Sequence, residues 1–344
     1  MRTPDFWSEP PGLVAGLLAP VGAAFDAAGR LRRAVARPYR APVPVICVGN
    51  LVAGGSGKTP VVLSLVAILA RRGIDAHIVT RGYGGRLGGP ARADPAIHDA
   101  AAVGDEALLA AGRARCWVAR DRAAGVRAAV DAGAQAILLD DGFQNPHVAK
   151  DLSLVVVDAA YGFGNRRLIP AGPLRERIPS GLARADAIVL IDGGGGIEPS
   201  AVPPSVVQLL GLAPIDRPVL RAALEPVDGE RFAGQPVVAF AGIGRPEKFF
   251  ATLRRLGAKL AATRAFPDHH FFRADELAAL RRDAERTGAP LVTTAKDWVR
   301  LPPSERAGIA VLAVELRWRD ESALDALLAP LIDRIGDGGR AVRA

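Results

Sequence analysis

A glycine-rich turn near residue 55 carries the side chains best suited to chemistry. A strand predicted over 42–50 runs into this turn, and a helix predicted over about 58–72 follows it. In such a turn, glycines let backbone N–H groups approach phosphate oxygens, a lysine reaches the outer phosphates, and a threonine hydroxyl can bind Mg²⁺. The strict pattern has glycine where this chain has Val52, and a glycine-rich turn with a chance lysine is the alternative. We predict a phosphate-binding loop formed by Val52, Ala53, Gly54, Gly55, Ser56, Gly57, Lys58 and Thr59.

Two adjacent acids end another predicted strand. Asp140 and Asp141 close the strand over 134–141, and ligands bind outside the carboxyl ends of strands in open α/β sheets. A nucleotide-bound Mg²⁺ needs a nearby carboxylate, directly or through water. Because successive side chains of a strand point in opposite directions, both acids can serve one site only if the strand has ended. The alternative is an Asp-Gly turn at the end of the strand.

Two further segments carry candidate acid–base residues. Asp105 and Glu106 begin a helix predicted over about 104–113. The helix dipole also favours acidic side chains in a first turn, so the residues alone leave the role of these two acids open. His269 and His270 are adjacent, with no cysteine or further histidine near them in the sequence. A histidine that orients a carboxylate base, or shares a proton with it, is therefore favoured over a metal ligand. A solvated loop is the alternative.

The positive charge of the chain is concentrated in two segments. The formal charge is +8 at pH 7, yet residues 27–42 hold five arginines and no acid, and residues 162–185 hold five arginines and only Glu176. The rest of the chain is therefore nearly neutral. A nucleic-acid-binding surface would spread its charge more widely, so we predict two local anionic partners and no nucleic acid. Arginine-rich solvated loops are the alternative.

The N-terminal segment is amphipathic. Residues 10–25 carry no charge, but they are fewer than the roughly 20 apolar residues that a bilayer span needs. Asp5 and Glu9 precede this stretch and arginines follow it, which is the wrong order for a secretory signal. Such a pattern predicts a helix that inserts shallowly into an anionic membrane surface, and a helix packed on its own domain is the alternative. The predicted apolar face consists of Leu13, Leu17, Val21, Phe25 and Ala28.

The remaining sequence alternates between short apolar strands and helices. This alternation predicts an α/β fold in which helices flank a parallel sheet that carries the phosphate-binding loop, followed by a second, smaller α/β lobe. Two cysteines in 344 residues exclude a disulfide framework and indicate a reducing compartment. The predicted divisions are an N-terminal membrane-associating segment over 1–41, a nucleotide-binding core over 42–192, a linker and connecting strand over 193–235, the smaller lobe over 236–335 and a flexible tail over 336–344.

The candidate motifs occur together and in a fixed order between about residues 45 and 300. They resemble the motifs of one family, the tetraacyldisaccharide 4'-kinases of lipid A biosynthesis, which the N-terminal segment also fits. A single phosphate loop would be a weak signal, whereas seven ordered motifs are specific. The matching runs are Val48 to Asn50 with Gly54 to Pro60, Thr80 to Gly84, Gly104 to Glu106, Asp140 to Gln144, Pro170 to Glu176, Phe266 to His269 and Thr293 to Asp297.

The resemblance implies a P-loop kinase that transfers the γ-phosphate of ATP to the 4'-hydroxyl of an acylated glucosamine disaccharide 1-phosphate and yields lipid IVA. It implies a peripheral location at the cytoplasmic face of the bacterial inner membrane. The implied partners are the lipid and the anionic membrane surface, without an obligate protein partner. Two other classes stay open, a soluble small-molecule P-loop kinase and a membrane-associated P-loop ATPase.

The same resemblance implies roles for individual residues. Lys58 and Thr59 would serve ATP and Mg²⁺. Asp105 would accept the proton of the 4'-hydroxyl, with His269 as its partner. Glu106 and Asp141 would help to hold the metal, and Asp140 would support them. Gln144 would lie at the nucleotide. Arg175 would meet phosphate, either on ATP or on the lipid, and Arg81 is a weaker candidate of the same kind.

Two positions depart from the family pattern. Ala107 stands where family members usually have proline, and we expect little effect because the neighbouring carboxylates are intact. Asn145 and Pro146 separate Gln144 from His147, where the family more often has histidine directly. The resemblance therefore assigns no role to a histidine at this place.

Overall fold

The computed structural model describes residues 4–192 and 217–341. Most of the predicted linker and the last three residues lie outside this part of the chain. Strands and helices alternate through most of it, as predicted. The strands are β1 Val45–Gly49, β2 Ala76–Thr80, β3 Ala91–Ala93, β4 Cys116–Val118, β5 Ala136–Asp140, β6 Leu152–Asp158, β7 Ala187–Asp192, β8 Val219–Pro226, β9 Pro236–Ala241, β10 Lys259–Ala265, β11 Leu291–Thr294, β12 Ile309–Leu312 and β13 Val314–Trp318.

The described strands form two sheets. The large sheet has the order β13-β8-β7-β6-β1-β5-β2-β4-β3, and its central strands are parallel and buried on both faces. Its two edge strands, β3 and β13, run antiparallel to their neighbours, so the sheet is mixed where the sequence predicted a parallel one. The small sheet is parallel, with the order β10-β9-β11-β12.

Helices cover both faces of the large sheet and enclose apolar cores. One core lies under α2 and holds alternate side chains of the central strands, while the second core lies on the opposite face. Two smaller cores enclose the small sheet. The described helices are α1 Leu13–Val35, α2 Lys58–Arg71, α3 Ala100–Val103, α4 Asp105–Ala111, α5 Arg122–Asp131, α6 Ile178–Leu182, α7 Pro246–Arg255, α8 Ala274–Thr287, α9 Ala295–Trp298 and α10 Glu321–Ala341.

After the small sheet, the chain returns to the large one. Strand β13 pairs with β8, and Trp318 Nε1 donates a hydrogen bond of 2.8 Å to Ser64 Oγ on α2. Leu324 and Leu328 of α10 are fully buried in the core of the large sheet. Residues 314–335, which the sequence analysis assigned to the smaller lobe, therefore pack with the first lobe. An apolar periodicity identifies a helix but does not state which sheet it covers.

Helix α1 lies along the surface of the large lobe. Its 23 residues exceed the uncharged run in the sequence, and by length and composition alone it could cross a membrane. Its inner face is held to the protein: Ala15 and Gly22 are buried, and Asp26 pairs with Arg177 at 3.1 Å. The outer face exposes large apolar side chains at helical spacing, namely Leu13, Val14, Leu17, Val21, Phe25, Leu31 and Val35.

Candidate active site

The glycine-rich turn joins β1 to α2 and is fixed from within. Asn50 Nδ2 donates to Ser56 Oγ at 2.9 Å. Gly57 has φ 86°, and a Cβ there would lie 2.4 Å from Ile191 Cδ1, so glycine is required both by conformation and by space. At Gly54 and Gly55, by contrast, no described heavy atom lies within 4 Å of an ideal Cβ. The outer side of the turn is therefore open to a ligand.

A second segment braces this turn from outside. The backbone N–H of Ala53 donates to the Pro173 carbonyl at 2.8 Å, and that of Arg175 donates to the Leu51 carbonyl at 2.8 Å. Val52 pairs with Leu174 in an isolated bridge. Val52 thus shapes the loop at the position where the strict pattern has glycine. The pairing also places the side chain of Arg175 next to the loop.

The paired acids meet the beginning of α2. Thr59 Oγ1 donates to Asp140 Oδ2 at 3.2 Å, and Lys58 Nζ lies 3.7 Å from Asp141 Oδ1. The strand ends at Asp140, and Asp141 has φ 54° in the left-handed region. This turn lets both acids face the loop, which an extended strand would not allow. Arg175 Nη1 donates to the same Asp141 oxygen at 2.7 Å.

The two acids differ in charge state. Burial raises the pKa of Asp140 to about 7, and the negative charge of Glu106 adds to this rise. Burial also acts on Asp141, but the cations Lys58 and Arg175 outweigh it and lower the pKa to about 2. Asp140 Oδ1 is buried and has no hydrogen-bond partner among the described residues. An added cation would stabilise the charged form of Asp140 and supply that partner.

Thr59 and Asp140 offer oxygen atoms to a Mg²⁺ ion beside the phosphate loop. Within residues 4–192 and 217–341, no group of three or more histidine, cysteine or acidic side chains is placed to hold a metal. The Thr59 hydroxyl and the unpartnered Asp140 oxygen are nevertheless oxygen donors of the type that Mg²⁺ prefers. Mg²⁺ commonly takes one or two protein ligands and completes its shell with phosphate and water. The residues present fit a Mg²⁺ that arrives with a nucleotide.

Asp105 and His269 meet across the two lobes. His269 Nδ1 donates to Asp105 Oδ2 at 2.9 Å, although the residues are 164 positions apart. Asp105 begins α4 and is 4% exposed, whereas His269 lies on the loop after β10 with φ 58°. Burial opposes ionisation of Asp105, but the hydrogen bond from His269 and the charge of Arg300 hold its pKa well below the usual range. The same hydrogen bond raises the pKa of His269.

Two cations that the sequence analysis did not select complete this centre. Arg300 Nε donates to Asp105 Oδ2 at 2.8 Å, and its Nη1 donates to Asp297 Oδ1 at 3.0 Å. Lys296 Nζ pairs with Glu106 Oε1 at 2.6 Å and lowers the pKa of that carboxyl against the effect of burial. Lys296 lies in the matched run Thr293 to Asp297, which was an available signal. Arg300 lies outside every motif.

Charge links the two halves of the site. Lys58 lowers the pKa of Glu106, and Glu106 in turn raises that of Asp140. Glu106, which follows Asp105 in the first turn of α4, therefore lies within electrostatic range of the phosphate-loop lysine. The site combines a cationic loop, buried acids and a carboxylate with a histidine partner. These are the parts that phosphoryl transfer to a hydroxyl requires.

Comparison with known proteins agrees with this chemistry. The LpxK family model, described as tetraacyldisaccharide-1-P 4'-kinase, matches residues 14–333. The chain belongs to this kinase family. The family predicted from the motifs is thereby confirmed, and so is the assignment of the chain as an enzyme.

Relatives and a solved structure support the same family over the full length. The tetraacyldisaccharide 4'-kinase of Rhodospirillum centenum is 53% identical over 99% of this chain and 100% of its own length. That of Dinoroseobacter shibae is 55% identical over 96% of this chain and 98% of its own length. The crystal structure of LpxK from Aquifex aeolicus in complex with ATP has a TM-score of 0.73, 26% identity, and coverage of 93% of this chain and 99% of that one. The predicted fold class is confirmed by this match.

In this LpxK family member, Gln144 links the residue after β1 to the arginine-rich loop. Its Nε2 donates to the Asn50 carbonyl at 2.8 Å and to Glu176 Oε1 at 3.1 Å, while Arg175 Nη1 donates to its Oε1 at 3.4 Å. Gln144 thus orients Arg175. Glu176 also pairs with Arg184 and, at 3.6 Å, with Arg33 of α1. The second basic segment is therefore partly neutralised within the chain.

Two further residues discussed from the sequence, Arg81 and His147, are exposed. Arg81 is exposed on the loop after β2, where Tyr83 is 61% exposed and its ring lies 5.3 Å from that of His269. His147 is also exposed, and its backbone N–H donates to Asn145 Oδ1 at 2.8 Å. The structure brings Lys58, Thr59, Asp140, Asp141 and Arg175 into one cluster around the loop. Asp105, Glu106 and His269 form the adjoining one.

Proposed function

We propose that this chain transfers the γ-phosphate of ATP to the 4'-hydroxyl of tetraacyldisaccharide 1-phosphate, the step of lipid A biosynthesis that yields lipid IVA. The observation that carries the proposal is the Asp105–His269 pair, which two lobes assemble beside Glu106, the acid on which the charge of Lys58 acts. A loop that only bound or hydrolysed ATP would not require a carboxylate and histidine contributed by separate lobes.

The phosphate loop would hold ATP. Its backbone N–H groups and Lys58 would bind the phosphates, and Arg175 would neutralise charge on the transferred group. Thr59 and Asp140 would hold Mg²⁺, with Asp141 and Glu106 nearby to support the charge balance. When bound, Mg²⁺ would offset negative charge on the phosphates.

Asp105 would act as the base. The 4'-oxygen of the acceptor forms a bond to the γ-phosphorus while the bond from that phosphorus to the β–γ bridging oxygen breaks, and ADP is the leaving group. The hydroxyl proton passes to Asp105, which is ionised at neutral pH because His269 and Arg300 stabilise its charge. The pair also fixes the direction of the accepting oxygen.

Helix α1 would place the site at the cytoplasmic face of the bacterial inner membrane. Its outer face exposes apolar side chains such as Leu13 and Leu17, and arginines follow at its end. These are the features of a helix that inserts shallowly into an anionic surface. Asp26, in the middle of α1, is buried and pairs with Arg177 of the large lobe. If α1 crossed the membrane, this contact would be broken. We therefore infer a peripheral association, with the lipid and the anionic membrane surface as partners.

The proposed transfer can be tested directly with γ-labelled ATP. Wild-type protein is incubated with Mg²⁺ and either the tetraacylated disaccharide 1-phosphate or the same disaccharide 1-phosphate without acyl chains. We expect label on the acylated lipid, at the 4'-position. Release of labelled phosphate without labelled lipid would indicate a P-loop ATPase. Equal labelling of the unacylated acceptor would indicate a soluble small-molecule kinase.

A further inference from the structure

An arginine of the small lobe lies against the phosphate loop. Arg245 precedes α7, and its Nη2 donates to the Gly55 carbonyl at 3.2 Å. It also pairs with Asp158 at the carboxyl end of β6, and its guanidinium lies 5.4 Å from the centre of the Tyr161 ring. These three contacts hold a positive charge beside the open side of the loop, where Gly54 and Gly55 leave space.

Asp158 is shared by two cations. Lys248, in the first turn of α7, places its Nζ 2.7 Å from the same Asp158 oxygen that Arg245 contacts. Asp158 is 7% exposed, so it requires a positive partner. Lys248 can supply that partner alone. Arg245 can therefore turn towards a new anion without leaving a buried carboxylate unpaired.

We propose that Arg245 is a nucleotide-binding residue, which the small lobe contributes to the phosphates of ATP on the loop. This inference rests on the proposed function. A guanidinium binds phosphate oxygens through two parallel N–H donors, which a lysine cannot reproduce. Because Arg245 belongs to the lobe that also supplies His269, its binding to phosphate links nucleotide binding to assembly of the Asp105–His269 pair.

The test measures nucleotide binding to the full-length protein without lipid. We expect Arg245→Ala to weaken ATP binding about tenfold or more, the usual effect of losing a hydrogen bond to a charged group, and Arg245→Lys to recover part of this loss. With lipid present, KM for ATP should rise by a similar factor and kcat should change less. Arg255→Ala is the matched control, since it removes an exposed arginine from the end of the same helix.

A second variant, Asp158→Asn, distinguishes phosphate binding by Arg245 from a role that only holds the two lobes together. Asp158→Asn removes the ion pair but leaves Arg245 available to phosphate, so we expect ATP affinity close to wild type. Equal losses in Arg245→Ala and Asp158→Asn would assign Arg245 to lobe contact only. Unchanged ATP affinity in Arg245→Ala would overturn the proposal. Transfer of label by wild type is measured separately, so its absence would refute the proposed function and not this inference.

Discussion

Arg300 and Asp105 form a buried ion pair between residues 195 positions apart, with Arg300 Nε 2.8 Å from Asp105 Oδ2. Arg300 follows α9 of the small lobe, whereas Asp105 begins α4 of the large lobe. The pair keeps the carboxylate charged in a buried place. A chemically important group thus depends on a residue that no motif contains.

Removal of Arg300 should shift the pH dependence of phosphate transfer. In Arg300→Met, Asp105 loses a cation that lowers its pKa, so that pKa should rise. We expect the acidic limb of the kcat profile to move to higher pH and stability to fall by about 3–5 kcal/mol, since one partner of a buried pair is lost. Arg282→Met, on the exposed face of α8, is the control. If the acidic limb of the kcat profile of Arg300→Met stays at the wild-type pH, Arg300 does not lower the pKa of Asp105.

His269 should make the stability of the protein depend on pH. Its hydrogen bond to Asp105 raises its pKa above the ordinary value of 6.5. A raised pKa in the folded state stabilises the protein fully below pH 6.5, and this contribution is lost as the pH rises through the raised value. We expect the Tm advantage of wild type over His269→Gln to shrink above pH 6.5. Parallel Tm curves for the two proteins would show that this coupling is absent.

Lys58 should serve both nucleotide binding and chemistry. It lies 3.7 Å from Asp141 at the beginning of α2, where the outer phosphates of ATP would lie. Lys58→Ala should therefore raise the Kd for ATP and lower kcat, by about tenfold or more in each. Lys259→Ala, an exposed lysine of β10, should change neither quantity. A kcat loss with normal ATP affinity would remove Lys58 from the ground-state binding site.

The exposed face of α1 should control access to lipid. Leu17 is 80% exposed in the apolar row, so Leu17→Asp should weaken binding to anionic vesicles and raise KM for the lipid without affecting ATP affinity. Ala23→Asp adds the same charge to the same helix outside that row and is the control. Co-sedimentation with phosphatidylglycerol vesicles measures the difference. Equal binding by both variants and wild type would reject a membrane role for this face.

Local patterns predicted the parts of the fold that local forces decide. The strand, glycine-rich turn and helix from 42 to 72 follow from β-branched runs, glycines and helical periodicity. The approach of Asp140 and Asp141 to one site depended on a left-handed φ at Asp141, which the following Asp-Gly sequence permits but does not require. The order of strand, turn and helix around the phosphate loop was therefore predictable, whereas the conformation of Asp141 was not.

Long-range contacts were not predictable from one sequence. Arg300 looks like any arginine after a short helix until packing brings it to Asp105. Likewise, α10 has an apolar face that would suit either sheet, and only the structure shows that it packs with α2. The motif resemblance supplied what periodicity could not, namely the pairing of Asp105 with His269.

The central claim is that Asp105, held by His269, takes the proton of the acceptor hydroxyl. Its most direct test is single-turnover transfer of labelled phosphate to the tetraacylated disaccharide 1-phosphate by wild type and by Asp105→Ala, with ATP binding measured for both. In Asp105→Ala we expect transfer to slow about 10²–10⁴-fold, the contribution of a positioned base, while ATP affinity stays close to wild type. Transfer by Asp105→Ala at the wild-type rate would contradict it.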